Sequence, residues 1–91
     1  MKLSKNVDFN QLKHLKSCPP LHWKIPECIF EKDGFVFERQ ESSHRVYVKE
    51  GVARPIIIPT YKDIDRDIIL GLMRTATMTR EKFFEFLSKC R

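Results

Sequence analysis

Three short extended segments stand close together in the middle of this chain, and they limit its fold more than any other feature. Residues 35–40 are aromatic and β-branched, residues 45–49 alternate Val46 and Val48 with Arg45, Tyr47 and Lys49, and residues 54–58 end in an apolar run. Glu50-Gly51 marks a tight turn between the second and third, so these two are expected to pair as a hairpin. Pro59 closes the last strand.

Helical periodicity flanks this block on both sides. Residues 23–32 carry a loose apolar stripe of Trp23, Ile25, Cys28 and Ile29; Pro26 is tolerable there because it falls in the first turn, where backbone donors are unpaired. Gly34 suits the left-handed position that ends a helix. Downstream, Asp65 or Asp67 can cap a helix carrying Ile68, Ile69, Leu72 and Met73. Thr79 can cap another, with Glu81 near its positive end and Phe83, Phe84, Phe86 and Leu87 as apolar positions. Upstream, Asp8 can cap a short helix with Phe9, Leu12 and Leu15, which should stop before Pro19. The expected organisation is an extension with a short helix over 1–18 and one domain over 19–91. The order α, α, β, β, β, α, α is packed most economically as an α+β domain, a three-stranded antiparallel sheet with helices on one face and the other face wet.

Ninety-one residues allow one compact domain with a thin core, so any chemistry should lie on an exposed face rather than in a deep pocket. The formal charge of +5 and a pI near 9.3 suit a polyanionic partner, although a solubilising surface charge explains them as well. Cys18, Cys28 and Cys90 cannot all pair and no two form a CxxC, so reduced thiols in a reducing cytoplasm are the simpler reading. Met1 to Asn10 has no apolar core of a secretory signal, and no apolar run approaches the ~20 residues that span a bilayer.

Most catalytic constellations are missing. Cys18, His22 and Cys28 have no standard zinc spacing and lack a fourth ligand, so no metal site is expected. Asp63, Asp65 and Asp67 read as capping and solvation rather than paired catalytic carboxylates. Gly34, Gly51 and Gly71 are too scattered to cradle a phosphate, and no Ser-His-Asp elbow is present. Trp23 and Phe37 read as core rather than as base-stacking platforms.

The run Arg39-Gln40-Glu41-Ser42-Ser43-His44-Arg45 is more informative. It sets an imidazole, which exchanges protons near neutral pH, between two guanidiniums that can hold a phosphate. Cleavage of RNA by its own 2′-hydroxyl needs those two things, though a surface histidine beside ordinary arginines is the plainer alternative. Strand alternation puts His44 on the face of Val46 and Val48, with Arg45, Tyr47 and Lys49 on the other. If Val46 and Val48 face the core, His44 sits at the core's rim, unless a bulge near Ser42-Ser43 re-aims it.

The ordered pattern resembles the HicA (YcfA-like) toxin family. The stretches that carry the likeness are Phe30-Glu31-Lys32-Asp33-Gly34-Phe35, Arg39-Gln40-Glu41-Ser42-Ser43-His44, Ile56-Ile57-Ile58-Pro59, Leu72-Met73-Arg74-Thr75-Ala76 and Thr79-Arg80-Glu81-Lys82-Phe83, over about residues 21 to 87. The resemblance implies a double-stranded-RNA-binding-like α-β-β-β-α fold. It implies a metal-independent, cofactor-free endoribonuclease toxin acting on mRNA, neutralised by a HicB-type antitoxin. His44 would then be catalytic, Arg39, Arg45, Lys49 and Lys62 would bind RNA, and Ser43 and Tyr61 would support. Three positions depart from the family pattern. Ser42 replaces a glycine, at a cost if the backbone there needs positive φ. Arg45 replaces the second histidine of a frequent pair, and Thr60-Tyr61 stand where a histidine often follows the proline. Two rivals remain: a non-catalytic RNA-binding module on the same fold, and a purely protein-binding partner of a regulator.

Overall fold

Connections as short as those between residues 35 and 59 leave no room for the crossover helix that parallel strands require, so neighbouring strands must run antiparallel. A computed structural model, which describes residues 21–91, has this arrangement. Helix α1 spans Lys24–Lys32, strands β1, β2 and β3 span Val36–Glu41, His44–Val48 and Ile56–Pro59, and helices α2 and α3 span Arg66–Ala76 and Arg80–Cys90. The sheet order is β1-β2-β3, antiparallel throughout. The result is an α+β fold with the double-stranded-RNA-binding-like α-β-β-β-α order followed by one more helix. The helix expected before Pro19, with its Asp8 cap, lies outside the described residues, as does the 1–18 extension.

Local chemistry accounts for the element ends. The His22 Nδ1 accepts the Lys24 backbone N–H (3.2 Å), one of the donors that α1 leaves unpaired at its start. Pro26 lies in that first turn, fully buried. Gly34, at φ +105°, turns the chain from α1 into β1, as the sequence suggested. Asp65 and Thr79 cap α2 and α3 by accepting the N–H groups of Ile68 (3.1 Å) and Lys82 (3.2 Å). Thr77 ends α2 in the left-handed region, φ 52°, where a glycine would sit without strain.

One face of the sheet holds the core. Ile56 and Ile58 point into it together, and the β2–β3 register sets Tyr47 opposite Ile56, so Tyr47 turns inward and is fully buried. Phe30, Phe83, Ile29, Ile64 and Ile69 fill the space between sheet and helices. No helix among the described residues covers the other, open face: Ile57 is 47% and Val36 63% exposed. Val46 is buried too, but it stands on this open face beside Ile57 and outside the main cluster.

The alternative that put Val46 and Val48 on the core face, with His44 at its rim, is therefore corrected. Two inward isoleucines outweigh one, and they select the Arg45–Tyr47 face of β2. A bulge does interrupt β1, but at Glu38, between the Phe37–Tyr47 and Arg39–Val46 pairs, rather than near Ser42-Ser43. It reverses the alternation, so Phe37 faces the helix side while Arg39 faces the open side. The link from β2 to β3 runs over seven residues, with Gly51 at φ +89° and Val52 N–H on the Lys49 carbonyl (3.1 Å), longer than the tight turn expected. The reduced state expected of the cysteines is overturned for two of them: Cys28 of α1 and Cys90 of α3 form a disulfide, Cα atoms 5.9 Å apart. Parity and spacing could not reveal it, because only the packing of α3 across α1 brings together residues 62 positions apart.

Candidate functional site

The β1–β2 hairpin turns on two residues, Ser42 and Ser43, with Glu41 and His44 paired across its mouth. Ser42 has φ 56°, so the replaced glycine does fall where a side chain is strained, and the Gln40 side-chain amide donates to its carbonyl (3.0 Å). The Ser43 carbonyl accepts from both the Thr60 backbone N–H (2.8 Å) and its hydroxyl (3.0 Å). The hairpin tip is thereby tied to the segment leaving β3, and Tyr61 and Lys62 follow within two residues, both exposed.

His44 opens β2, exposed on the open face. Its neighbours across the sheet are Glu41 on one side and Pro59 on the other. Arg39 lies on the same face, two residues before Glu41, and its Nε donates to the Glu41 carboxylate (2.6 Å) while Nη1 pairs with Glu38. That hydrogen bond and the charge behind it hold the Glu41 carboxyl below its ordinary range and raise the Arg39 guanidinium. All three side chains are well exposed, so these pairs break cheaply when a better anion arrives.

Arg45 points the other way. Its Nη2 pairs with Glu27 of α1 (3.1 Å), Nε donates to the Tyr47 hydroxyl (2.9 Å), and Nη1 donates to Gln40 (2.9 Å). The Tyr47 hydroxyl in turn donates to Glu27 through a short contact. The guanidinium sits over the Phe37 ring, its Cζ 4.1 Å from the ring centre, with the Trp23 ring at 5.3 Å. Trp23 is half-buried and packs against the core, whereas Phe37 is 40% exposed, so the core place expected of Phe37 is corrected; both flank this arginine. Burial, then the bond to Glu27, pushes the Tyr47 phenol far above its ordinary pKa; the bond to Tyr47 is the largest of the effects that raise Arg45. Lys49 also lies on the helix side, its Nζ 3.4 Å from Asp33 and near the Phe35 ring.

Of the residues picked out from sequence, the fold thus puts His44 and Arg39 on the open face and Ser43 in the hairpin turn, while exposed Tyr61 and Lys62 follow Thr60, which is tied to that turn. Arg45 and Lys49 stand on the opposite side, engaged with carboxylates. Two further residues belong to the neighbourhood. Glu41 was legible from the hairpin spacing, since a two-residue turn sets it opposite His44. His22 was not. It reaches this end of the molecule because Leu21 pairs with Ile64 (3.1 and 2.7 Å) and the Trp23 N–H meets the Tyr61 carbonyl (3.2 Å), tertiary contacts that no local pattern announces. Cys28, offered with Cys18 and His22 as a poor zinc set, is spent in the disulfide; among the described residues no three metal-ligating side chains come together.

These features define a class: a small α+β domain of double-stranded-RNA-binding-like order that presents a histidine at the tip of an open sheet face. The family model described as the HicA toxin of bacterial toxin-antitoxin matches residues 26–78, more than half of the chain, from the first turn of α1 to just past α2. The chain belongs to the HicA toxin family. Membership carries the role of a toxin and implies an antitoxin partner. No curated protein sequence matches the chain. Among the described residues no helix is long and apolar enough to cross a membrane.

Proposed function

We propose that this toxin is a metal-independent endoribonuclease that cleaves mRNA in the cytoplasm with His44, and that a HicB-type antitoxin neutralises it. The observation that carries the reading is the exposed position of His44 at the tip of the open face, with Arg39 on the same face and Tyr61 and Lys62 tied alongside. In this reading the His44 imidazole takes the proton of a 2′-hydroxyl. The freed oxygen attacks the adjacent phosphorus, the 5′-oxygen of the next nucleotide leaves with a proton, and a 2′,3′-cyclic phosphate remains. Arg39 releases Glu41 and Glu38 to hold the phosphate, and Lys62 adds charge. Ser43 and Tyr61 shape the tip. Arg45 and Lys49, already satisfied by Glu27 and Asp33, brace the strand from behind; any phosphate they hold is bound at the molecule's edge.

A second reading, a non-catalytic RNA-binding domain, is favoured by one observation. Arg45 stands where a second histidine is frequent, and it turns to the helix side, which leaves a single imidazole on β2. The two readings separate on a mixed single-stranded RNA in EDTA. The nuclease gives cyclic-phosphate ends with the unmodified protein and none with His44→Ala, while both proteins bind RNA with a steep salt dependence. Binding without cleavage by either protein selects the second reading, and cleavage undiminished in His44→Ala removes His44 from the chemistry.

A further inference from the structure

An imidazole that takes a proton works best with one ring nitrogen open to the substrate and the other held. A carboxylate on the held nitrogen fixes which nitrogen carries the proton and steadies the imidazolium that forms. The β1–β2 hairpin carries such a group. Its two-residue turn sets Glu41 directly opposite His44, so both side chains leave the same face of the sheet. The Cβ atoms of a cross-strand pair lie about 5 Å apart, a gap that a glutamate and an imidazole bridge with ease. The tip between them is held by the Gln40 amide on the Ser42 carbonyl and by Thr60 on the Ser43 carbonyl, which keeps the pair in register.

In the structure the Glu41 carboxylate is given to Arg39 instead, whose Nε donates to it at 2.6 Å. The bulge at Glu38 makes this contact possible. It turns Arg39 to the open face, where a residue two positions before Glu41 is its neighbour along the strand. The two side chains are 52% and 65% exposed, so solvent screens the pair and little free energy holds it. Both Nε and Nη1 of Arg39 are occupied by carboxylates, Glu41 and Glu38. A phosphate gripped by two donors of this guanidinium therefore displaces one of them. Displaced at Nε, Glu41 is released beside His44.

We propose that Glu41 is the positioning residue of His44: when an RNA phosphate draws Arg39 away, the Glu41 carboxylate turns to accept an imidazole N–H. One arginine thereby links the arrival of substrate to the orientation of the base. The other ring nitrogen takes the 2′-hydroxyl proton, so an O–H bond breaks and an N–H bond forms. That proton stays on the imidazolium, and none passes to Glu41. This rests on the proposed nuclease reading and adds what aims its histidine.

The test measures kcat and KM for cleavage of one single-stranded RNA in EDTA by the full chain and four variants. These are Glu41→Gln, Glu41→Asp, Arg39→Gln, and Arg39→Gln combined with Glu41→Gln. Glu41→Gln should lower kcat about tenfold, a modest part of what a general base contributes. Its KM should stay level or fall, because Arg39 has lost a carboxylate that competes with phosphate. Glu41→Asp keeps the charge and should recover most of the kcat. On the Arg39→Gln background, Glu41→Gln should still lower kcat about tenfold, since the carboxylate acts on His44 rather than through the arginine. An unchanged or higher kcat in Glu41→Gln overturns the proposal. So does a fall in kcat that comes with a higher KM, that Glu41→Asp does not relieve, or that vanishes once Arg39 is replaced. Absence of cleavage by the unmodified chain overturns the nuclease reading itself, and the role of Glu41 with it.

Discussion

The two faces of the sheet are built from the same strands and do opposite work. On the helix-covered face, neighbouring groups satisfy one another: Tyr47, Ile56 and Ile58 pack against α1, α2 and α3, and the Glu27–Arg45–Tyr47 cluster closes the edge. On the open face, Val36 and Ile57 remain exposed, and the charges are paired only with solvent-exposed partners. Most of the buried core, Val46 apart, therefore belongs to one side, while the weakly held groups that can meet an RNA belong to the other. Consecutive residues make the contrast concrete, since His44 and Arg45 differ by one position and face different worlds.

The covered side should be sensitive and the open side tolerant. The largest effect is expected at the disulfide, which ties α1 to α3. Replacing Cys28 and Cys90 by serine releases a loop of 62 residues' separation and should cost about 4 kcal/mol, read as a fall in urea midpoint. Reductant should have the same effect on the unmodified protein, which bears on its stability in a reducing compartment. Next come two neighbours on β3. Ile58→Ala should cost about 3 kcal/mol, because Ile58 is fully buried among large side chains, whereas Ile57→Ala should cost less than ~1 kcal/mol. Equal costs would erase the distinction between the faces.

Smaller effects sharpen the picture at its joints. Ser42→Gly removes a side chain from a backbone at φ 56° and should stabilise the hairpin by about 1 kcal/mol, with cleavage unchanged or improved. The smallest effect concerns pH. Tyr47 is buried and hydrogen-bonded to Glu27, so its pKa in the folded protein lies well above the ordinary 10. Below pH 10 the phenol is protonated folded or unfolded, and its full contribution is present. As pH rises past 10 the unfolded chain loses this proton first, so stability falls until Tyr47 itself ionises. Between about pH 9 and 11 the thermal midpoint should fall more steeply for the unmodified protein than for Tyr47→Phe.

Much of this architecture was legible in the sequence because short-range chemistry sets it. Gly34, Asp65 and Thr79 each act within three or four residues, and their elements begin or end where those residues say. The family likeness also lay in ordered local stretches. The phase of β2 was not legible. Val46 and Tyr47 are both buried, so alternation alone could not choose, and the bulge at Glu38 reverses the pattern on the partner strand. Partners distant in sequence were hidden for the same reason. Nothing local tells Arg45 that Glu27 will face it, Cys28 that it will meet Cys90, or His22 that it will lie beside the Tyr61 loop.

The central claim is that the open face carries chemistry without carrying stability, and His44→Ala tests it most directly. Cleavage of single-stranded RNA in EDTA and the urea unfolding midpoint should be measured on the same preparations of unmodified and substituted protein. The account predicts a rate at least ~100-fold lower with an unfolding free energy within ~0.5 kcal/mol of the original. Undiminished cleavage, or a loss of cleavage that comes with a loss of several kcal/mol in stability, would contradict it.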